Sequence, residues 1–397
     1  MKPPKIAIIG GGSAALSAAA HLSEKFEVTI YEKGKTIGRK FLVAGKGGFN
    51  LTNAVDGSAL LQQYTPRGKM NEALSQFGSQ QTRNWLSDLG IPTFIGSSGR
   101  VFPEKGWTPA EVLKQMKTAL LKKGTKIRSH HTFTGWSVNG CPLIKHENKT
   151  IPIQADAYIF ALGGGSWSKT GANSDWMNLL EEVGLRPTPF SPSNCGLNID
   201  WDDSFITAYA GEPLKNLGVS FHETYLRGEA VITQYGLEGN LIYPLSSLWR
   251  DQHQNKGKTI FLDFKPDNSL PELYQKIAGT KPKQYRSRLN LSKPVLEWVK
   301  WSMEKSDYTN PQKFAEKLKA FPVDVNGLRS VDEAISTVGG VPFDDLSEFF
   351  EWIKKPNYFS VGEMVDWDAP TGGFLLQGCF AMGHAVATLL NERLKNE

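Results

Sequence analysis

The chain is poor in cysteine. Cys141, Cys195 and Cys379 are its three cysteines in 397 residues. No two of them stand in a CxxC or CxxxxC spacing, which argues against a disulfide framework, a zinc ribbon and a dithiol redox pair, and for a reducing compartment. Long apolar runs are missing too, so no membrane span is expected. The first apolar run begins by Lys5 with no signal-like segment before it, which makes a cytoplasmic location the expectation. There is no low-complexity tract, and 40% hydrophobic with 21% charged residues is the balance of a folded chain. The net charge is a mild +5. It suits anionic cofactors and gives no case for nucleic acid as the main partner. No metal site is expected.

Glycine, by contrast, is placed with purpose. Lys5 to Ile9 is an apolar β-type run that leads straight into Gly10, Gly11 and Gly12. A small-residue stretch from Ser13, Ala14 and Ala15 to Leu22 reads as a helix, and Phe26 to Tyr31 reads as a second strand closing on Glu32. This is the strand, tight turn, helix, strand, carboxylate order of a dinucleotide-binding fold. Gly10 permits the turn, and Gly12 lets the backbone approach a pyrophosphate. The helix N-terminus supplies free N–H groups to that pyrophosphate. Glu32 stands where a carboxylate can accept hydrogen bonds from a ribose. The third glycine of the fingerprint is Ala15, a replacement that still permits close helix–strand packing.

From Lys33 and Gly34 to Asn53 the chain is a glycine-rich basic loop. It holds Gly38, Arg39, Lys40, Gly47, Asn50 and Asn53 and is expected to wrap a cofactor, with Arg39 and Lys40 facing phosphate. Residues 70–125 read as helices around a short loop: Asn71 to Leu89 has helical apolar spacing, and Thr108-Pro109 starts a second helix. The role of the turn segment Gly99 to Pro103 is not set by spacing. Lys126 to Trp136 and Gly140 to Lys149 read as a small antiparallel meander. Ile153 to Ala161 is an apolar run ending in Gly163-Gly164-Gly165. It is read as a crossover packed on the first fingerprint, with a second nucleotide fingerprint as the alternative.

A proline-rich boundary at Arg186–Pro192 precedes short β-like runs over 193–262. Residues 270–320 read as helical and basic. Their Lys and Arg residues interleave with Tyr285, Trp298 and Trp301, as on a solvated face over an aromatic stripe. Near the end, Tyr358-Phe-Ser leads through Gly362, Glu363 and Asp366 to Gly372, Gly373 and Phe374, and then to a small-residue helix from about Gln377 to Leu390. Two anion-friendly turns at opposite ends of one chain favour FAD over NAD. The first suits the adenosine pyrophosphate. The second offers a helix N-terminus to the flavin N1/O2 edge, with Glu363 near the ribityl chain.

The stretches Gly38–Asn53, Gly99-Arg-Val-Phe-Pro103, Thr337-Val-Gly-Gly-Val341 and Gly362–Gly373, in this order after the fingerprint, resemble the BaiN/YhiN-like flavoproteins. That family is also known as the aminoacetone oxidase family of FAD-binding enzymes. The resemblance spans nearly the whole chain. It implies an α/β fold with a Rossmann-like FAD-binding domain of the glutathione-reductase type, formed from 1–188 and 339–397. It also implies an inserted β-rich, barrel-like domain (189–264 and 321–338) and a small helical insert (265–320). Carried over by position, it implies FAD contacts at Ala14, Glu32, Arg39, Lys40, Phe133 (through its backbone, near adenine), Glu363 and Asp366. Ala161 and Gly163 join these as crossover residues.

The chain departs from its relatives at Gly-Lys-Gly-Gly-Phe-Asn50 and at Thr233-Gln-Tyr-Gly-Leu-Glu-Gly-Asn240, so a relative's substrate does not carry over. The expected activity is FAD-dependent oxidoreduction of a small molecule by hydride exchange with flavin N5. The flavin would be reset by dioxygen or by transiently bound NAD(P)H. A flavin-binding protein with a non-catalytic or nucleic-acid-linked role is the alternative. No catalytic acid or base is assigned: His384 reads as a packed histidine, and Gln234 and Tyr235 are placed near substrate by analogy alone. Cys195 and Cys379 read as small buried apolar groups. Oligomeric state is left open.

Overall fold

The computed structural model describes residues 2–43 and 49–394, without the side chains of 253–256. Gly47 therefore lies outside the described residues. The chain divides into two compact units, residues 1–191 with 335–397 and residues 192–334.

The first unit is built on a five-stranded parallel sheet. Its order is Tyr358–Ser360, Ala157–Phe160, Lys5–Ile9, Glu27–Glu32, Lys126–Ser129. The first strand of the chain is thus central, and the strand order reverses beside it. Such a switch point leaves a crevice at the C-terminal strand ends, where ligands of α/β sheets bind. Both faces of Lys5–Ile9 are covered, so Ile6, Ile8 and Ile9 are buried and the strand reads as a continuous apolar run. Truncating one of these to alanine costs about 2–5 kcal/mol.

Helix Ser13–His21 follows the glycine turn and packs along helix Phe374–Arg393. The Ser17 hydroxyl donates to the Phe380 carbonyl at 2.7 Å. Their approach is close enough that a Cβ on Gly383 would sit 2.4 Å from the Ala14 carbonyl oxygen. Small residues are what this contact requires. Helix Phe374–Arg393 is long and apolar enough to cross a membrane, which the sequence reading did not foresee, but most of it is buried as the core helix of this unit. It begins at Phe374 and not near Gln377. His384 on it stacks on Phe77 at 4.6 Å and meets His21 edge-on at 4.8 Å. It is packed as expected, yet its buried Nδ1 has no hydrogen-bond partner among the described residues.

Other expectations change. Lys126–Ser129 is not part of the meander. It joins the parallel sheet beside Glu27–Glu32, and the meander is Thr132–Trp136, Pro142–His146 and Lys149–Pro152. The stretch 71–89 is two helices, Asn71–Gln76 and Ser79–Asp88, broken at Phe77-Gly78. Space at Gly78 is tight, since a Cβ there would lie 2.8 Å from Asp56 Oδ1 and 3.2 Å from the Leu74 carbonyl oxygen. Within the basic loop, Arg39–Val43 is a short helix. Gly99–Pro103 is resolved as a strand: Arg100–Pro103 pairs with Thr52–Asn53 and Thr93–Ile95 in a small antiparallel sheet.

The second unit holds a seven-stranded antiparallel sheet. In it Pro213–Phe221 and Thr224–Thr233 form the longest hairpin. Two helices, Asp203–Tyr209 and Ile242–Lys256, interrupt what the sequence presented as β-like runs alone. The helices between Leu270 and Lys319 share one apolar core with the sheet. Trp298 is its aromatic hub, meeting Trp201, Phe264 and Phe321 at 4.8–5.9 Å. Tyr285 and Trp298 are therefore core, while Trp301 is exposed.

Candidate functional site

The site grows from the switch point. Gly10 has φ of 104°, and a Cβ there would lie 2.2 Å from the Ala161 carbonyl oxygen, so glycine is required by conformation and by space alike. The Ala161 N–H donates to Ile9 at 2.8 Å, which ties the crossover to the fingerprint. Residues 163–165 open no helix; a short 3₁₀ turn, Ser168–Thr170, follows instead. The crossover reading holds and the second-fingerprint alternative fails.

Gly12 caps helix Ser13–His21 without a side-chain hydrogen bond, no acidic residue occupies the first turn, and a Cβ on Gly12 would meet nothing within 4 Å. That helix end presents free N–H groups to an open space, the arrangement a pyrophosphate needs. Glu32, at the end of its strand, anchors the turn: Oε2 accepts from Gly11 N–H at 2.9 Å and Oε1 from Gly34 N–H at 2.6 Å. Gly38 N–H donates to the Gly11 carbonyl at 2.8 Å, which folds the basic loop back onto the fingerprint. Arg39 donates to the Lys169 carbonyl and Lys33 to Asn173.

Further along, Lys40 Nζ lies 2.6 Å from both Glu363 Oε2 and Ser166 Oγ, and Glu363 Oε1 accepts from Thr337 N–H at 3.0 Å. Residues from four distant parts of the chain thus meet at one ion pair. Ser166 and Thr337 were not singled out as site residues; the signal was their position beside glycine runs. Gly362, with φ of 80°, presses against Ala14, where a Cβ would come within 2.9 Å of the alanine methyl. Desolvation, with the Glu363 carboxylate next, pushes the Cys379 thiol up to about 12, so it stays protonated and non-nucleophilic at neutral pH.

At the far end, Gly372 and Gly373 both have φ above 100°. A Cβ on Gly373 would strike the Thr52 carbonyl at 2.3 Å. Asn53 Nδ2 donates to the Gly372 carbonyl at 3.0 Å, and the Tyr64 hydroxyl to the Phe374 carbonyl at 2.7 Å. Helix Phe374–Arg393, like the first, starts with no side-chain cap and no acid in its first turn. Asn50 is half-buried in the segment before Thr52. Asp366 accepts from Gly339 N–H at 2.9 Å. Phe133 stands apart from these residues as a side chain: its ring packs on Trp136 and Phe160. Two cavities of about 350–360 Å³, one in each unit, are lined by none of the residues expected at the site. Among the described residues no group of three metal-ligating side chains occurs.

Parallel sheet, glycine turn, strand-end carboxylate and helix N-terminus define a Rossmann-type dinucleotide-binding protein. Comparison with known proteins places it further: residues 4–389 match the family described as HI0933-like protein Rossmann domain, and the chain belongs to that family. Among curated relatives, a ribosomal RNA dihydrouridine synthase of Haemophilus influenzae is 23% identical over 97% of this chain and 98% of its own. A 3-dehydro-bile acid delta(4,6)-reductase of Clostridium scindens is 24% identical over 98% and 99%. Among solved structures, the 3-ketosteroid delta1-dehydrogenase of Sterolibacterium denitrificans shares the fold at a TM-score of 0.52 and 12% identity, covering 99% of this chain and 100% of its own.

Proposed function

We propose that the protein is an FAD-dependent oxidoreductase acting on a small organic molecule. One observation carries this. A single packed core presents two uncapped helix N-termini, at Gly12 and at Gly373, with the Glu32 carboxylate at one and the Lys40–Glu363 pair within the same unit. One end suits a pyrophosphate and the other suits the charge that gathers on a reduced flavin. The residues fit the group, since the space over Gly12 and Gly163 is open to backbone approach. Ala14, Ala15, Glu32, Arg39 and Lys40 would hold the adenosine pyrophosphate half. Glu363, Asp366 and the Gly372–Phe374 turn would hold the flavin half.

The bound flavin supplies hydride acceptance and donation at N5. The protein's part is to orient the ring, to place positive helix ends on its polar edge and to exclude water. The names of the two relatives above denote redox chemistry on organic substrates, and that support extends to the reaction class alone. Dioxygen or transiently bound NAD(P)H is proposed to reset the flavin. Anaerobic mixing with NADH, NADPH and small amines, followed by air, tests this. Bleaching of the flavin band by one donor and its return in air are expected; a band that no donor bleaches contradicts the enzyme reading.

A nucleic-acid-linked role is the second reading. Residues 270–319 carry eleven Lys and Arg against five Asp and Glu, and Trp301 is exposed beside them. Binding to RNA that weakens steeply with salt would favour it, and no binding at low salt would remove it.

A further inference from the structure

Arg100 is a cation held beside the Gly372–Gly373 turn, with no counter-charge among the described residues. Antiparallel pairing sets Arg100 directly across from Asn53. Its carbonyl accepts from Gly96 N–H at 2.8 Å, so the backbone is fixed on both sides. Alternation along Arg100–Pro103 buries Val101 and leaves Arg100 half-buried on the opposite face. That face meets the turn before the long helix. A Cβ placed on Gly372 would lie 3.5 Å from Arg100 Nε and 3.8 Å from Asn53 Nδ2. Asn53 is already used, donating to the Gly372 carbonyl and accepting from Val55 N–H. The Arg100 guanidinium has no hydrogen bond and no ion pair among the described residues. Every other basic group named at this site has a partner: Lys33 bonds Asn173, Arg39 bonds Lys169, and Lys40 bonds Glu363.

We propose that Arg100 is an oxyanion-binding residue of the flavin pocket. Its planar fork takes a delocalised negative charge in front of the Gly372–Gly373 turn. That charge belongs either to the flavin's pyrimidine edge or to a carbonyl or carboxylate oxygen of the substrate. The inference rests on the flavin reading above. A guanidinium held half-buried beside the Gly372 turn has five donors and no acceptor, and it can offer them to a ligand oxygen in place of water. The free N–H groups at Phe374 point the same way in charge, so the two cationic ends reinforce one another.

The test compares R100Q and R100K with the parent, each as purified flavin-loaded protein. The sulfur lone pair of sulfite forms a bond to flavin N5, and the flavin π electrons it displaces gather as negative charge at the N1/O2 edge, so the dissociation constant reads nearby positive charge. R100Q is expected to weaken sulfite binding about tenfold or more, with R100K recovering part of the loss. Stripped of flavin, all three proteins should melt within about 2 °C of one another, because among the described residues Arg100 has no side-chain partner to lose. An unchanged sulfite constant with a similar fall in benzoate affinity, read from the flavin absorbance, assigns the oxyanion to the substrate. Unchanged affinity for both probes in R100Q overturns the proposal and leaves the flavin reading standing. A lowered melting temperature of the flavin-stripped R100Q and R100K alike makes the residue structural and overturns it too. A parent protein that binds no flavin overturns both readings.

Discussion

Replacing Glu32 with alanine removes one acceptor group from two backbone donors. The carboxylate takes Gly11 N–H at 2.9 Å and Gly34 N–H at 2.6 Å, so it ties the fingerprint turn to the start of the basic loop. A hydrogen bond to a charged group contributes about 1.5–3 kcal/mol net when fully shielded from water. Both bonds here are partly buried, which puts the pair at roughly 2–3 kcal/mol. For a unit of this size that is a fall of about 4–12 °C in melting temperature. Circular dichroism melts of flavin-stripped E32A and parent protein read this term apart from any cofactor contact. E32Q keeps one carbonyl oxygen as acceptor and is expected to lose about half as much. An E32A apoprotein that melts within about 1 °C of the parent would refute the anchoring role. In the loaded protein the same change is expected to weaken FAD binding as well, through the ribose hydroxyls.

Three other outcomes follow from the structure. Lys40→Met leaves the Glu363 carboxylate without its cation and should cost about 1–3 kcal/mol, with Glu363→Gln in the same chain restoring part of it. Additive losses in that double-mutant cycle would contradict a coupled pair. Gly10→Ala should cost more than about 2 kcal/mol, because it faces both a positive φ and the Ala161 carbonyl; a soluble variant of parental stability would count against the turn geometry. Finally, desolvation first and His384 second hold the His21 imidazole down to about 4, below its unfolded value. The unfolded chain therefore takes up a proton before the folded one, so this contribution is whole above pH 6.5 and is lost as pH falls towards 4. His384 shifts in the same direction through burial. Denaturant midpoints across that window should drop in the parent and drop less steeply in His21→Gln, where only His384 remains, and parallel profiles would contradict the assignment.

The chemistry-bearing ends of the chain were legible because their signals are local. Lys5 to Glu32 carries its strand, turn and carboxylate within a few dozen residues, and the structure returns them in that order. Thr108-Pro109 with Glu111 caps its helix as the residue types dictate. What escaped was set by partners far along the chain. Nothing in Lys126–Ser129 says that it will lie beside Glu27–Glu32, because a strand's alternation does not name its neighbour. Ile242–Lys256 lies among β-like runs and has only a weakly one-sided apolar pattern, so its helix was missed. The Lys40–Glu363 and Asn53–Arg100 meetings span hundreds and tens of residues respectively, and only the folded sheet order creates them.

The central claim is that the glycine turns at the two ends of the chain grip one FAD. Titrating the stripped protein calorimetrically with FAD, FMN, ADP and NAD tests it most directly. The account predicts one FAD per chain, bound far more tightly than ADP or FMN alone, because each fragment reaches only one of the two turns. NAD binding as tight as FAD, or FMN binding as tight as FAD, would contradict it.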